Sequence, residues 1–168
     1  KEKLYDDMLE FGWDLEKYER LGLFRFLSYT PEQIKKVLVE GGGTIDAIIS
    51  QMRVKRLVID SITSFALLFE DELTQKESSL ALFELINRWE CTAVLTSQAI
   101  ELSPDDMRAQ LQFEVDSIII LYHFKRKGIR VRAIEVLKMR GTRTPEKTVK
   151  LTITEKGIAV DPKEVVAV

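Results

Sequence analysis

The sequence predicts an α/β fold in which a mainly parallel central sheet is flanked by helices and extended by a C-terminal antiparallel hairpin and short strands. The parallel part is indicated by two strand-like runs, residues 55–60 and 92–96, on either side of a segment with helical periodicity. The antiparallel part is indicated by longer runs at 117–124 and 129–139, which a short turn joins. A chain of 168 residues can form one core, so we expect a single domain over residues 1–168.

The N-terminal part is predicted to be mainly helical. Thr30 can cap a helix, Pro31 suits the first helical position, and Gln33 completes a capping box. Three consecutive glycines at 41–43 form a turn and not a phosphate loop, because no Gly-Lys-Ser or Gly-Lys-Thr follows them. We expect helices over 1–10, 14–20, 30–39 and 44–52 and a short strand over 23–27.

The middle of the chain reads as a strand, a helix and a second strand. Residues 55–60 show no period-2 alternation, which is typical of a strand buried on both faces of a parallel sheet. Apolar residues repeat at helical spacing over 74–89, and the run 92–96 follows. Such a unit requires a parallel sheet with a right-handed crossover, and ligands bind beyond the C-terminal strand ends. These ends carry Asp60 with Ser61, and Ser97 with Gln98.

The chain after residue 102 changes to antiparallel patterning. Ser103 and Pro104 are expected to begin a helix that runs to about residue 112. The hairpin formed by 117–124 and 129–139 comes next, and its turn is residues 125–128. Two further short strands are expected at 149–153 and 158–160.

Composition and charge exclude several classes of protein. The formal net charge is −2, from 27 acidic and 25 basic residues, so no global field favours nucleic acid or membranes. Cys91 is the only cysteine, which excludes an intramolecular disulfide and a four-cysteine metal site and suits the reducing cytoplasm. No apolar run is long enough to span a bilayer, and no secretory signal is visible. The single histidine, His123, is expected to be structural.

Asp60 is the first candidate site residue, because a carboxylate at the end of a buried strand can hold Mg²⁺ and its waters. The alternative is that Asp60 or Ser61 only caps the next helix. Ser97 and Gln98 end the neighbouring strand, where an amide could sense a γ-phosphate or orient a water. Their alternative is an ordinary polar loop.

Basic residues concentrate in and after the hairpin, with only Glu135 opposing them. Lys138 and Arg140 are two apart in a strand, so we expect them to project together, roughly 6–7 Å apart, and to be able to clamp one phosphate. Solubility, phosphate contact and nucleic-acid contact are the competing interpretations of the cluster. Its members are Lys125, Arg126, Lys127, Arg130, Arg132, Lys138, Arg140 and Arg143.

The order of several short motifs resembles the RecA-like ATPases, specifically the KaiC-like domains common in archaea and cyanobacteria. The most specific motifs are VLKMRGT at 136–142 and LTITEKGI at 151–158. The others are FGWD at 11–14, RLVIDS at 56–61, which resembles a Walker B strand, and VDSIII at 115–120. Together they cover nearly the whole chain in the family's order.

This resemblance implies a RecA-like fold and a ring-like homo-oligomer, usually a hexamer, with ATP and Mg²⁺ bound between subunits. Asp60 would be the Walker B acid that positions Mg²⁺ through water, with Ser61 beside it, and Ser97 and Gln98 would lie in the sensor region. Lys138 and Arg140 would reach the neighbour's γ-phosphate. The family's segment bordering base and ribose would correspond to Thr154, Glu155, Lys156 and Gly157.

One departure from the family concerns the Walker A loop and the acidic pair that activates water, which lie just before the point where this chain begins. No other segment offers a comparable set of phosphate-binding groups. We therefore expect the C-terminal two-thirds of a KaiC-like P-loop ATPase, inactive in ATP hydrolysis by itself. The alternative is a non-catalytic oligomeric interaction module. Nucleic-acid binding through the hairpin is least favoured, because the chain is acidic overall.

Overall fold

The computed structural model describes residues 1–66, 68–69, 71–98 and 114–167. The predicted α/β fold is confirmed, with a parallel sheet followed by an antiparallel one. Its helices are α1 (Glu2–Glu10), α2 (Leu15–Arg20), α3 (Pro31–Val39), α4 (Gly43–Met52), α5 (Ile62–Ala66) and α6 (Glu72–Arg88). Its strands are β1 (Arg56–Ile59), β2 (Thr92–Leu95), β3 (Ser117–Arg126), β4 (Ile129–Met139), β5 (Val149–Thr154) and β6 (Gly157–Val165).

The chain divides into two compact units. The central unit is Lys17–Ala109, and the terminal unit joins Lys1–Glu16 to Gln110–Val168. The expected single domain over residues 1–168 stays a prediction. The expected helix near residues 103–112 lies outside the described residues.

The parallel sheet of the central unit follows the predicted order of strand, helix and strand. β1 and β2 pair in parallel, with Arg56 opposite Thr92 and Ile59 opposite Leu95. Helix α6 lies between them in the sequence, and the Asp71 side chain caps it by accepting a hydrogen bond of 2.8 Å from the backbone N–H of Thr74. This cap explains why the helix begins two residues before the predicted start at residue 74.

The prediction that β1 is buried on both faces is wrong. Leu57 and Ile59 are half-buried, whereas Val58 has 66% of its surface exposed, and Val94 in β2 has 54%. Successive side chains of a strand point to opposite faces, so the alternation means that only one face of this small sheet is shielded. Apolar composition alone does not distinguish a shielded face from an exposed one.

The core of the central unit lies on helices. Thr30 and Gln33 form the predicted capping box at the start of α3, which packs against α6. Ser79 is almost fully buried in α6, and its hydroxyl donates to the carbonyl of Gln75 at 2.8 Å. Among the residues of this unit that the structure describes, the buried apolar side chains are Val37, Ile49, Ile62, Leu82, Phe83, Leu85 and Ile86.

The short strand expected over residues 23–27 is absent from the structure. This segment has no regular secondary structure, although Phe24 and Phe26 are half-buried. Its apolar, aromatic composition suits a strand, but no described strand pairs with it, and an extended segment needs such a partner to complete its ladder of hydrogen bonds. Packing of the two phenylalanines accounts for the apolar pattern instead.

The terminal unit contains the antiparallel sheet, in the order β3, β4, β5, β6. The predicted hairpin is confirmed, with Arg126 opposite Ile129 beside the turn. A β-bulge interrupts the hairpin near its other end, because Lys138 lies opposite Ile118 while Val136 lies opposite Ile119. Leu137 is therefore the extra residue.

The half-buried carboxylate of Glu135 ties this sheet together. The Tyr122 hydroxyl donates to Oε2 of Glu135 at 2.7 Å, and the Thr148 hydroxyl donates to the same oxygen at 3.2 Å. The hydrogen bond to Glu135, followed by burial and by the negative charge of Glu135, raises the pKa of Tyr122. A raised folded-state pKa stabilises the fold below the unfolded pKa of about 10, and this contribution disappears as the pH rises through the folded-state pKa.

Replacing Tyr122 by phenylalanine is accordingly expected to lower the free energy of unfolding by about 1 kcal/mol at pH 7, because one hydrogen bond is lost. The difference from the parent protein should vanish as the pH rises through the raised folded-state pKa of Tyr122, where the parent loses the same bond. Urea unfolding across this pH range measures both. Tyr18→Phe is the control, since Tyr18 is exposed. Equal stabilities of parent and Tyr122→Phe at pH 7 would contradict the expectation.

Candidate functional site

The carboxyl ends of β1 and β2 bring together the first group of predicted site residues. Asp60 follows β1 directly, and the Thr96 hydroxyl, which follows β2, donates to Oδ1 of Asp60 at 2.6 Å. The backbone N–H of Thr96 also donates to the carbonyl of Ile59 at 3.0 Å, which continues the pairing of the strands. The Asp60 side chain is exposed, and its hydrogen bond with Thr96 fixes its direction.

Helix α5 joins the second strand end to the same place. The Thr63 hydroxyl accepts a hydrogen bond of 2.9 Å from the backbone N–H of Gln98 and lies 3.3 Å from the hydroxyl of Ser97. The backbone N–H of Ile62 donates to the carbonyl of Thr96 at 2.9 Å. The helix start and the end of β2 therefore hold Ser97 and Gln98 in place.

Ser61 contributes to the helix start, as the capping interpretation expected. Its hydroxyl accepts a hydrogen bond of 3.4 Å from the backbone N–H of Ser64 and lies 3.3 Å from the Ser64 hydroxyl. The peptide bond between Asp60 and Ser61 is cis. Capping accounts for Ser61 and leaves the carboxylate of Asp60 available at the strand end.

The donor set at these strand ends consists of oxygens, which are the ligands that Mg²⁺ prefers. It comprises one carboxylate with surrounding hydroxyls and an amide. Across the part of the chain that the structure describes, no three His, Cys, Asp or Glu side chains form a cluster that could hold a metal ion. This set fits Mg²⁺ held through one carboxylate, waters and substrate phosphates, and does not fit a cage made only of protein groups.

Thr63 and Thr96 are site residues that the sequence analysis missed. Thr96 ends the strand-like run 92–96, so its place beside Asp60 follows once β1 and β2 are taken as parallel neighbours. Thr63 lies in the first turn of α5, and nothing in the sequence alone indicates that its hydroxyl faces Ser97.

The terminal unit holds the two predicted phosphate-clamping cations. Lys138 Nζ donates to the carbonyl of Val115 at 2.7 Å, and Nη1 of Arg140 lies 3.3 Å from Oδ1 of Asp116. The backbone N–H of Arg140 donates to the carbonyl of Asp116 at 2.8 Å. Both cations thus contact consecutive residues just before β3. Arg140 is exposed, whereas Lys138 is half-buried.

The bulge explains the half-buried state of Lys138. Directly opposed residues of antiparallel strands share a face, so Lys138 lies on the face of Ile118. In a regular strand Lys138 would share a face with Val136, two residues earlier, but Val136 lies opposite Ile119 and therefore on the other face. The extra residue Leu137 thus reorients Lys138.

The predicted base-bordering segment forms the tight turn between β5 and β6. The Thr154 hydroxyl donates a hydrogen bond of 3.0 Å to the carbonyl of Gly157 and accepts one of 3.2 Å from the backbone N–H of Lys156. Gly157 has φ of +103°, which a residue with a side chain rarely adopts. Glu155 and Lys156 are exposed at the tip of the turn. The geometry of the turn is sufficient to explain why threonine and glycine occur at positions 154 and 157.

The tip of the hairpin carries one pair of like charges opposite each other, Lys125 and Arg130. Lys125 lies opposite Arg130, and His123 opposite Arg132, so all four side chains share one exposed face. Basic pairs directly opposite each other destabilise a hairpin. β5 pairs with β4 only at Ala133 and Ile134, so this tip is a two-stranded ribbon among the described residues.

A carboxylate held at the shared end of parallel strands, with hydroxyls and an amide beside it, is typical of nucleotide-binding α/β proteins. A family model described as "ATPase: KaiC" matches residues 1–165. The chain therefore belongs to the KaiC ATPase family, which is a family of RecA-type ATPases.

Individual relatives agree with this assignment. The chain is 29% identical over 160 residues to the circadian clock oscillator protein KaiC of Synechococcus elongatus, covering 90% of this chain and 31% of that protein. It is 30% identical to a UPF0273 protein of Aeropyrum pernix, covering 96% of this chain and 70% of that protein. The crystal structure of a KaiC-like protein from Pyrococcus horikoshii superimposes with a TM-score of 0.81 at 30% identity, covering 96% of this chain and 70% of that one.

The chain thus spans about a third of the length of the circadian clock protein it matches. Among its described helices, none is long and apolar enough to cross a membrane.

Proposed function

We propose that this chain is the part of a KaiC-like ATPase that follows the phosphate loop, and that ATP is bound and hydrolysed between adjacent subunits of a ring of six. The observation that carries the proposal is the Asp60 carboxylate, oriented by Thr96 where β1 and β2 end together. The 168 residues contain no Gly-Lys-Ser or Gly-Lys-Thr phosphate loop, so the activity is assigned to the full-length protein and not to these residues alone. Its single cysteine suits the cytoplasm.

In this function Asp60 holds Mg²⁺ through water, with Ser61 beside it, and Thr96 fixes the direction of the carboxylate. When bound, Mg²⁺ neutralises charge on the transferring phosphoryl group. Ser97 and Gln98 contact a γ-phosphate or orient the attacking water. The contacts of Thr63 with the Ser97 hydroxyl and the Gln98 backbone N–H support this proposal.

Lys138 and Arg140 act on the nucleotide of the neighbouring subunit. Two cations near the end of one strand can neutralise the negative charge that spreads over the phosphoryl oxygens during transfer. As the resemblance to the family implies, the turn with Thr154, Glu155, Lys156 and Gly157 borders the base and ribose. Glu155 and Lys156 are exposed at its tip.

Steady-state ATP hydrolysis by the full-length protein, with and without Mg²⁺, tests the proposal. Size-exclusion chromatography with and without Mg-ATP separates it from the alternative, a non-catalytic interaction module. The proposed ATPase hydrolyses ATP in a Mg²⁺-dependent manner and changes its assembly with nucleotide. A module that only assembles would show neither the hydrolysis nor the dependence.

Nucleic-acid binding is a second candidate function, and the basic ribbon of β3 and β4 favours it. Arg130 and Arg132 face the same side as Lys125, at a cost in stability that contact with phosphates would offset. Double replacement by alanine, Arg130→Ala with Arg132→Ala, is expected to weaken binding of duplex DNA roughly uniformly across sequences and to reduce its salt dependence. Fluorescence anisotropy over a salt series measures this. Affinity that does not depend on salt would remove the candidate.

A further inference from the structure

The two proposed phosphate-contacting cations are already engaged in this structure, and by the same short segment. The carbonyl of Val115 accepts a hydrogen bond from the Lys138 ammonium, and the carboxylate of Asp116 pairs with the Arg140 guanidinium. The Ser117 hydroxyl also donates to the carbonyl of Lys138 at 3.2 Å. A phosphate reached by Arg140 would therefore compete with the carboxylate of Asp116.

We propose that Asp116 is a positioning residue for Arg140: its carboxylate holds the guanidinium at the end of β4 until a phosphate of the neighbouring subunit's nucleotide replaces it. This inference rests on the proposed function, since it assumes that Arg140 acts on a nucleotide. It adds that the affinity for the nucleotide depends partly on how readily a phosphate replaces the Asp116 carboxylate at the Arg140 guanidinium.

The ion pair between Arg140 and Asp116 has the properties that such an exchange requires. The side chains of Arg140 and Asp116 are 55% and 86% exposed, so the pair is solvated and weak. A phosphate carries more negative charge than one carboxylate and accepts both N–H groups of a guanidinium fork. The bond from the Arg140 backbone to the Asp116 carbonyl is independent of either side chain, so the strand end stays in place when the ion pair opens.

Asp116→Asn in the full-length protein tests the exchange. It removes the charge and keeps the shape of the side chain and the backbone hydrogen bond. Because an exposed ion pair shifts an equilibrium about 1.4- to 5-fold, we expect the dissociation constant of adenylyl imidodiphosphate with Mg²⁺ to fall by that factor. Because salt screens exposed charges, the difference in dissociation constant between Asp116→Asn and the parent should become negligible at about 0.5 M salt. In hydrolysis, KM should fall more than kcat changes.

Two matched variants complete the experiment. Asp116→Glu restores the charge and is expected to return affinity towards that of the parent. Glu164→Gln breaks the Lys150–Glu164 pair, which spans 2.9 Å between exposed side chains in the same unit, and is expected to leave affinity unchanged. A shift of equal size in Glu164→Gln would overturn the proposal, since the effect would then be one of general charge.

The remaining outcomes separate this inference from the proposed function. If Arg140→Ala impairs hydrolysis while Asp116→Asn leaves affinity unchanged or weakens it, the exchange is refuted and the action of Arg140 on the nucleotide stands. If Arg140→Ala hydrolyses ATP normally, the proposed role of Arg140 fails, and the exchange fails with it. Tighter binding by Asp116→Asn that is lost when Arg140→Ala is added supports both.

Discussion

Asparagine in place of Asp60 is expected to lower steady-state ATP hydrolysis by the full-length protein by about 100-fold or more, the usual effect of removing one preorganised electrostatic group from a transition state. Asparagine keeps an oxygen that can accept from Thr96, so the strand ends should stay together. The negative charge that attracts Mg²⁺ is lost. A coupled assay of ADP release at saturating Mg-ATP measures the change.

Asp71→Asn is the matched control for Asp60→Asn. It removes one exposed carboxylate from the same unit but keeps a good helix cap for α6. Its hydrolysis rate should equal that of the parent. If Asp60→Asn retains more than half of the parent rate while folding normally, Asp60 is only a structural residue between β1 and α5.

Alanine in place of Arg140 is expected to lower kcat roughly 1,000-fold or more, as loss of an arginine that stabilises a transferring phosphoryl group does in other ATPases and GTPases. The loss should appear mainly in kcat, because the charge develops in the transition state. Arg143→Ala, an exposed arginine three residues later, is the control and should retain the parent rate. A similar loss in both variants would indicate a general effect of positive charge.

Mixing inactive subunits tests whether Arg140 acts on a neighbour's nucleotide. In the proposed ring, each head-to-tail interface would combine Asp60 of one subunit with Arg140 of the next. In an equal mixture of Asp60→Asn and Arg140→Ala subunits, about one interface in four has both residues intact, so activity should reappear. If the mixtures stay inactive although the subunits exchange, Arg140 acts on the nucleotide of its own subunit.

Local sequence signals predicted the elements whose stability is local. The capping box of Thr30 and Gln33 depends on residues three apart, and it forms as expected. The hairpin depends on two apolar runs and a short turn, and its strands differ from expectation mainly by extending β3 to Arg126. The pairing of β1 with β2 followed from the parallel topology that a strand, a helix and a strand impose.

The features that escaped prediction depend on contacts between distant residues. Whether Val58 is shielded is decided by what covers the sheet, and the composition of its own strand carries no information on that. The contact of Thr63 with the loop after β2 spans more than thirty positions in the sequence. For the same reason, the sequence did not indicate that the hydroxyls of Thr96 and Thr63 contact Asp60 and Ser97.

The bulge at Leu137 lets β4 accommodate one extra residue without changing the faces of the residues on either side of it. Deleting Leu137 would restore strict alternation and leave Val136 and Lys138 on opposite faces, as they are now. A change of length at the hairpin turn, near Lys127 and Gly128, would leave the relation of Lys138 to Arg140 untouched. A change of length at the turn therefore alters the reach of the hairpin, whereas removal of the bulged residue keeps the faces of the side chains on both sides of it.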